Sequence, residues 1–337
     1  MNKTVLITGA AGFIGFHLSR RLLDDGYAVL GLDNFNNYYD VALKEARWAL
    51  LEKNGSFTGI RGDLADRDCV FDLFKKHRPS IVHHLAAQAG VRYSLEAPQT
   101  YIDSNITGFL NILEACRHHP VEHLIFASSS SVYGANKKLP FSVEDPVDHP
   151  ISLYAATKKS NELMAHTYAA LFHVKVTGLR FFTVYGSWYR PDMALFRFMD
   201  RLIKGEPIDI YNHGDMARDF THVDDIVESM VRLMPLTPAA DPDFDASKPT
   251  PASSFAPYRL LNIGRSEPEA LMDVIAALEE SSGIEATKNF MDMQPGDVKE
   301  THADVASLET LTGYRPKIAL RDGMKTFVDW YREYYAV

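Results

Sequence analysis

Tyr154 and Lys158 stand four residues apart in a segment, residues 154–172, whose pattern predicts a helix. That spacing puts both side chains on one helical face, one turn apart. A tyrosine with a pKa near ~10 is a poor base at neutral pH, and a lysine cation beside it favours the phenolate. Such a pair is suited to take a proton from an alcohol. Alone the spacing carries little weight, because it recurs on solvated helix faces. The rest of the chain must supply a cofactor and a hydroxyl partner.

The N-terminal stretch bears on the cofactor. An apolar run, residues 4–8, meets Gly9-Ala-Ala-Gly12-Phe-Ile-Gly15, and a helical pattern follows. Strand, glycine turn and helix together let the backbone approach a pyrophosphate at a helix N-terminus. The spacing is G-x-x-G-x-x-G, and a tight structural turn is its simpler explanation. A second strand, residues 28–32, ends at Asp33, placed to accept from a ribose 2′-hydroxyl and to repel a 2′-phosphate. That favours NAD over NADP.

The alternation continues. A helical segment, 41–53, precedes a strand, 57–61, that closes on Asp63, and a helix over 67–77 follows. Asp63 could reach an adenine amino group or cap that helix. The strand at 81–85 runs into Ala86-Ala87-Gln88, residues 101–117 read as one long helix carrying Asn105, and the strand at 124–127 ends in four serines, Ser128 to Ser131. Alternating strands and helices predict an α/β fold with a Rossmann-like, doubly wound parallel sheet. Ligands bind beyond the carboxyl ends of such strands. Gly9, Asp33, Asp63, Ala86 and Ser128 all fall at those ends, and this convergence outweighs any single motif.

The chain has 337 residues, 46% hydrophobic and 23% charged, as expected of a soluble globular protein with a large core and a smaller second lobe. A net charge of −9 argues against nucleic acid as the main partner. The two cysteines, Cys69 and Cys116, suit neither a disulfide framework nor a zinc site, which favours a reducing compartment. No signal peptide and no long apolar run is evident, so no membrane association and a cytoplasmic location are expected. After residue 186 the texture changes. A strand at 207–211, helices at 194–204 and 268–281 and a C-terminal helix through Phe327 and Trp330 suggest a smaller α/β substrate lobe. The expected division is 1–186 and 187–337, with parts of the second lobe returning to the first. Residues 235–257, rich in Pro, Ala, Asp and Ser, predict an exposed, mobile loop.

Taken together, Gly9–Gly15, Asp33, Asp63, Leu85–Ala87, the serine run, Tyr154 with Lys158, and Arg218-Asp219-Phe220 resemble the extended short-chain dehydrogenase/reductase family over nearly the whole chain. Within it, the stretches 86–94, 127–134, 153–162 and 190–196 are similar to UDP-glucuronate 4-epimerases. The resemblance implies NAD contacts from Gly9, Gly12, Phe13, Ile14, Gly15, Asp33, Asn34, Asp63, Leu64, Leu85, Ala86, Ala87, Gln88, Asn105 and Ser128, with Tyr154 and Lys158. It implies Tyr154 as base, Lys158 as its electrostatic partner and Ser129 as the bridging hydroxyl. Ser130, Ser131 and Thr183 would meet the sugar carboxylate, with Arg190, Ala194 and Phe196 near the substrate. Arg218 would bind the diphosphate, Asp297 would approach the uridine ribose, and Arg92 is a further anion contact. Arg218 beside Asp219 is also consistent with a surface ion pair. Gln294, where related epimerases of neutral sugars carry Arg, is a departure.

The implied reaction is C4 epimerisation of UDP-glucuronate to UDP-galacturonate through a 4-keto sugar. That intermediate is a β-keto acid prone to lose CO₂, so hydroxyl donors must hold the carboxylate. Ser130 and Ser131 stand where a dehydratase carries Asp-Glu, and Ser131 where a decarboxylase carries Glu. A UDP-glucose 4-epimerase, a decarboxylase and a non-catalytic NAD sensor are the rivals. Relatives pair through two helices per chain, which makes 101–117 and 154–172 the expected homodimer elements, with Leu163, Tyr168 and Leu171 outward.

Overall fold

The computed structural model describes residues 3–293 and 298–337. β1 (Thr4–Thr8) passes through the glycine turn into α1 (Phe13–Asp24). β2 (Ala28–Asp33), α2 (Val41–Glu52), β3 (Phe57–Arg61), α3 (Arg67–His77) and β4 (Ile81–His84) follow. Two short helices, α4 (Tyr93–Glu96) and α5 (Pro98–Tyr101), lead through a π-turn, Ile102–Thr107, into α6 (Gly108–His118). β5 (His123–Ser129), α7 (Leu153–Phe172) and β6 (Val176–Phe181) close this half. The remainder comprises β7 (Thr183–Tyr185), α8 (Ala194–Lys204), β8 (Ile208–Ile210), β9 (Ala217–His222), α9 (Val223–Leu233) and β10 (Tyr258–Ile263). It ends with β11 (Pro268–Ala270), α10 (Leu271–Ser282), β12 (Lys288–Phe290), α11 (Ala306–Thr312) and α12 (Leu320–Tyr335).

The central sheet has seven strands in the order β10-β6-β5-β4-β1-β2-β3, all paired in parallel. The order turns back at β1, between β2 and β4, which opens the crevice of a doubly wound sheet. Its inner strands are apolar runs because helices cover both faces; every residue of β6 is buried. One face, with α3, α6 and α7, packs Leu6, Phe74, Ile112 and Phe126. The other joins Val5, Ile7 and Leu18 to Met324, Phe327 and Val328 of α12 in a single core. β10 also returns to this sheet from beyond residue 186. Two small sheets, β11-β9-β7 and β12-β8, build the rest.

Three local readings differ. The helix expected from Pro268 begins only at Leu271, because residues 268–270 pair antiparallel with β9. The helix expected over 101–117 is broken by the π-turn. Gly108 sits so tightly that a Cβ there would lie 2.9 Å from the Leu64 Cβ, and the turn carries Asn105 inward to 1% exposure. Residues 235–257 form a tethered loop rather than a free one. Asp241 N–H donates to the Ser254 carbonyl (2.8 Å) and Ser253 Oγ to Asp241 (2.6 Å), while Ser254 Oγ lies 2.7 Å from His166 Nε2 on α7.

Candidate active site

The glycine turn closes because its side-chain-free positions face backbone. Gly9 has φ +73°, and a Cβ there would lie 2.9 Å from Ala86 Cα; a Cβ on Gly15 would lie 2.1 Å from the Gly9 carbonyl oxygen. α1 then starts at the carboxyl end of β1 with no side-chain cap, leaving its first N–H groups for another acceptor. At the end of β2, Asp33 accepts from Ala11 N–H (3.0 Å) and Phe35 N–H (2.9 Å). Burial raises its pKa, against the pull of those N–H groups and of Lys44.

These residues line a cleft of about 370 Å³ that continues past β4, β5 and β6. Gly9, Gly12, Phe13, Ile14, Gly15, Asp33, Asn34, Asp63, Leu64, Leu85, Ala86, Ala87, Gln88, Ser128, Ser129, Ser130, Ser131, Tyr154, Lys158, Thr183 and Arg190 all face it. Asn34 and Asp63, from different strand ends, meet at 2.9 Å. Asn105 lies behind the wall: it accepts from Gln88 N–H (2.8 Å) and donates to the Gln88 carbonyl (3.1 Å) and to Thr157 Oγ1 (3.0 Å). It holds Gln88 rather than lining the cleft.

α7 presents Tyr154 and Lys158. Ser152 caps it, accepting from Ala155 N–H at 3.1 Å, so Tyr154 and Lys158 fall in its first two turns. Burial raises the Tyr154 pKa; the neighbouring Ser129 hydroxyl and the Arg190 charge pull it down, and the Asp192 carboxylate pushes it up. Lys158 is 2% exposed, its Nζ donates to the Ala127 carbonyl at 2.8 Å, and burial lowers its pKa to about 8. The Lys158 ammonium is hydrogen-bonded to the end of β5, one turn along α7 from Tyr154, and Arg190 lines the same cleft. Arg190 is itself held by Asp192, Nε to Oδ1 at 3.0 Å and Nη2 to Oδ2 at 2.5 Å. Burial works against the Arg190 charge, yet Asp192 keeps its pKa above the ordinary arginine value.

Other expected residues lie elsewhere. Phe196 packs in an aromatic cluster with Tyr331 (5.2 Å) and Tyr335 (5.9 Å) of α12. Ala194 is exposed at the start of α8, and Met193 faces the cleft instead. Arg92 is exposed, its guanidinium 5.6 Å from the Tyr211 ring. Arg218 donates to the carbonyls of Ala217, Val298 and Lys299. Asp219 turns away from it, is fully buried and accepts from the N–H groups of Arg265, Ser266 and Ala303. A surface ion pair between the two is therefore ruled out. Asp297 lies outside the described residues.

The structure also brings in residues that pattern reading missed. Tyr38 faces the cleft and donates to Asp192 at 3.3 Å. Lys44, also on the wall, donates to the Asn36 carbonyl and side chain. Buried Arg47 ties the glycine turn to the segment after β7, donating to the carbonyls of Ala11 (2.9 Å) and Trp188 (2.6 Å). Asn34-Phe-Asn-Asn-Tyr38, directly after Asp33, was the available signal for Tyr38.

Residues 5–243 match the model of the NAD dependent epimerase/dehydratase family. The chain belongs to that family. Protein CapI of Staphylococcus aureus is 54% identical over 98% of this chain and 99% of its own length. The probable UDP-glucuronate 4-epimerase of Rhizobium meliloti (strain 1021) is 48% identical over 98% of this chain and 97% of its own. The crystal structure of UDP-glucuronic acid 4-epimerase from Bacillus cereus, in complex with UDP-glucuronic acid and NAD, superposes with a TM-score of 0.87 at 37% identity, covering 98% of this chain and 100% of that one. The residues here fit the cofactor of the family name: an uncapped helix N-terminus for a pyrophosphate, a carboxylate for a ribose, and small residues along the wall.

Proposed function

We propose that this chain interconverts UDP-glucuronate and UDP-galacturonate by inverting C4 of the sugar, with NAD kept in the cleft throughout. One observation carries the reading: Tyr154 and Ser129 face the same cleft as the glycine turn and Asp33, beside the hydroxyls of Ser130, Ser131 and Thr183. Tyr154 takes the C4 hydroxyl proton, with Ser129 bridging phenol and sugar. NAD bound there would supply the hydride acceptor for C4 and, once reduced, the hydride donor to the other face of the resulting ketone. Ser130, Ser131 and Thr183 hold the carboxylate of the β-keto acid so that its C–C bond stays out of line with the carbonyl. Tyr154 gives its proton back to C4 oxygen.

Arg218 is the proposed diphosphate ligand, with Asp297 toward the uridine ribose and Arg92 as a further anion contact. We further propose a division at residue 186, a cytoplasmic setting that keeps Cys69 and Cys116 reduced, and a homodimer that buries the exposed Ile102, Leu110, Leu163 and Leu171 of the α5–α6 and α7 face. Tyr168 is turned inward there, donating to Glu114 at 2.7 Å. Among the described residues no helix is long and apolar enough to cross a membrane.

The test is incubation with UDP-glucuronate and separation of the products. UDP-galacturonate is expected. A UDP-pentose with released CO₂, or turnover of UDP-glucose alone, overturns the proposal.

A further inference from the structure

Tyr154, Lys158 and Glu162 form a row at i, i+4 and i+8 along α7. The last three residues of β5 meet that row one for one. Ala127 accepts from Lys158 (2.8 Å), Ser128 Oγ donates to Glu162 Oε1 (2.6 Å), and Ser129 lines the cleft with Tyr154. Two members of the row face the cleft. Glu162 is 2% exposed and does not.

Glu162 is instead clamped. Arg180 Nε donates to Oε1 at 2.8 Å and Nη2 to Oε2 at 2.9 Å, a two-pronged geometry that fixes the carboxylate plane. Arg180 is fully buried and is the register partner of Ser128 on the neighbouring strand. Its guanidinium lies 4.9 Å from the Tyr133 ring, and the Tyr133 hydroxyl donates to Asn262 at 2.8 Å on β10. A buried ion pair is weak evidence of net stability, since desolvation offsets most of its attraction. It is well suited to fixing direction. The free side of Oε1 points at one hydroxyl, on the residue before Ser129.

We propose that Glu162 is a positioning residue for the Tyr154–Ser129 pair: clamped by Arg180, it holds the Ser128 hydroxyl and so sets the end of β5 against α7. The inference rests on Tyr154 as the base. Displacing a reacting group by an ångström costs up to about a hundredfold in rate, so loss of one supporting bond should cost about tenfold.

The decisive variant is Ser128→Ala, which removes the link and leaves the ion pair whole; Ser128→Thr restores the hydroxyl. The readouts are kcat, KM and the pH profile of kcat, per folded chain with NAD content measured. We expect Ser128→Ala to lower kcat about tenfold, keep KM within about twofold, and move the limb reporting Tyr154 deprotonation to higher pH. Ser128→Thr should recover most of kcat. A lower Tm with unchanged kcat and pH limb, or a loss of activity explained by lost NAD, overturns the proposal. Wild-type turnover of UDP-glucose alone would sink the substrate assignment only; the same comparison on that sugar still decides the role of Glu162. Full turnover by Tyr154→Phe would sink the base assignment.

Discussion

Tyr154 is a half-buried phenol whose proton is held more tightly than in water, with Ser129 and Arg190 working to loosen it against Asp192. Tyr154→Phe keeps the ring and removes the oxygen. We expect kcat to fall by roughly 10²–10⁴ with Tm almost unchanged, read by initial rates and thermal melting. Lys158 supplies a second test. Its folded pKa is depressed to about 8 from 10.5. Between those values the unfolded chain binds the additional proton, so stability rises with pH through that window. Compared with Lys158→Met, the wild type should gain roughly 3 kcal/mol between pH 8 and 10.5, at about 1.4 kcal/mol per pKa unit. Urea unfolding at several pH values measures it. A flat difference would mean that the ammonium keeps its charge when buried.

At the scale of elements, the glycine turn and the π-turn place the cleft walls. A Cβ at Gly15 would lie 2.1 Å from the Gly9 oxygen and 2.8 Å from its carbonyl carbon, so Gly15→Ala must open the turn. NAD affinity, read by calorimetric titration, should fall by at least about tenfold, since the pyrophosphate site depends on that backbone. Asn105→Ala would strand the buried Gln88 N–H. One such buried group costs about 1–3 kcal/mol, so Tm should drop by several degrees; an unchanged Tm would mean that water replaces the amide.

At the scale of the whole molecule, one core runs from Val5 and Ile7 of the sheet to Phe327 and Val328 of α12, so residues from both ends of the chain share it. Outside that core, Leu163 is 58% and Leu171 65% exposed on α7. If a second copy covers them, Leu163→Glu with Leu171→Glu yields monomers with an unchanged circular dichroism spectrum. Light scattering after gel filtration reads the mass, and a persistent dimer would place the interface elsewhere.

Strand, turn and helix are local, and the sequence determined them: β1 and β3 and α3 fall within the expected limits, and Gly9, Asp33, Ala86 and Ser128 stand where strands end. Periodicity of two or 3.6 reports what one element does, and ligand crevices follow from strand ends. It does not report which distant side chain arrives. Only the tertiary structure decided that Arg190, locked to Asp192, lines the same cleft as Tyr154, that Lys158 is turned to Ala127, and that Glu162 reaches Ser128 and Arg180. Those partners are set by how β5, β6 and α7 pack in three dimensions. Burial, which lowers the Lys158 pKa and raises that of Tyr154, exists only once that packing has excluded water.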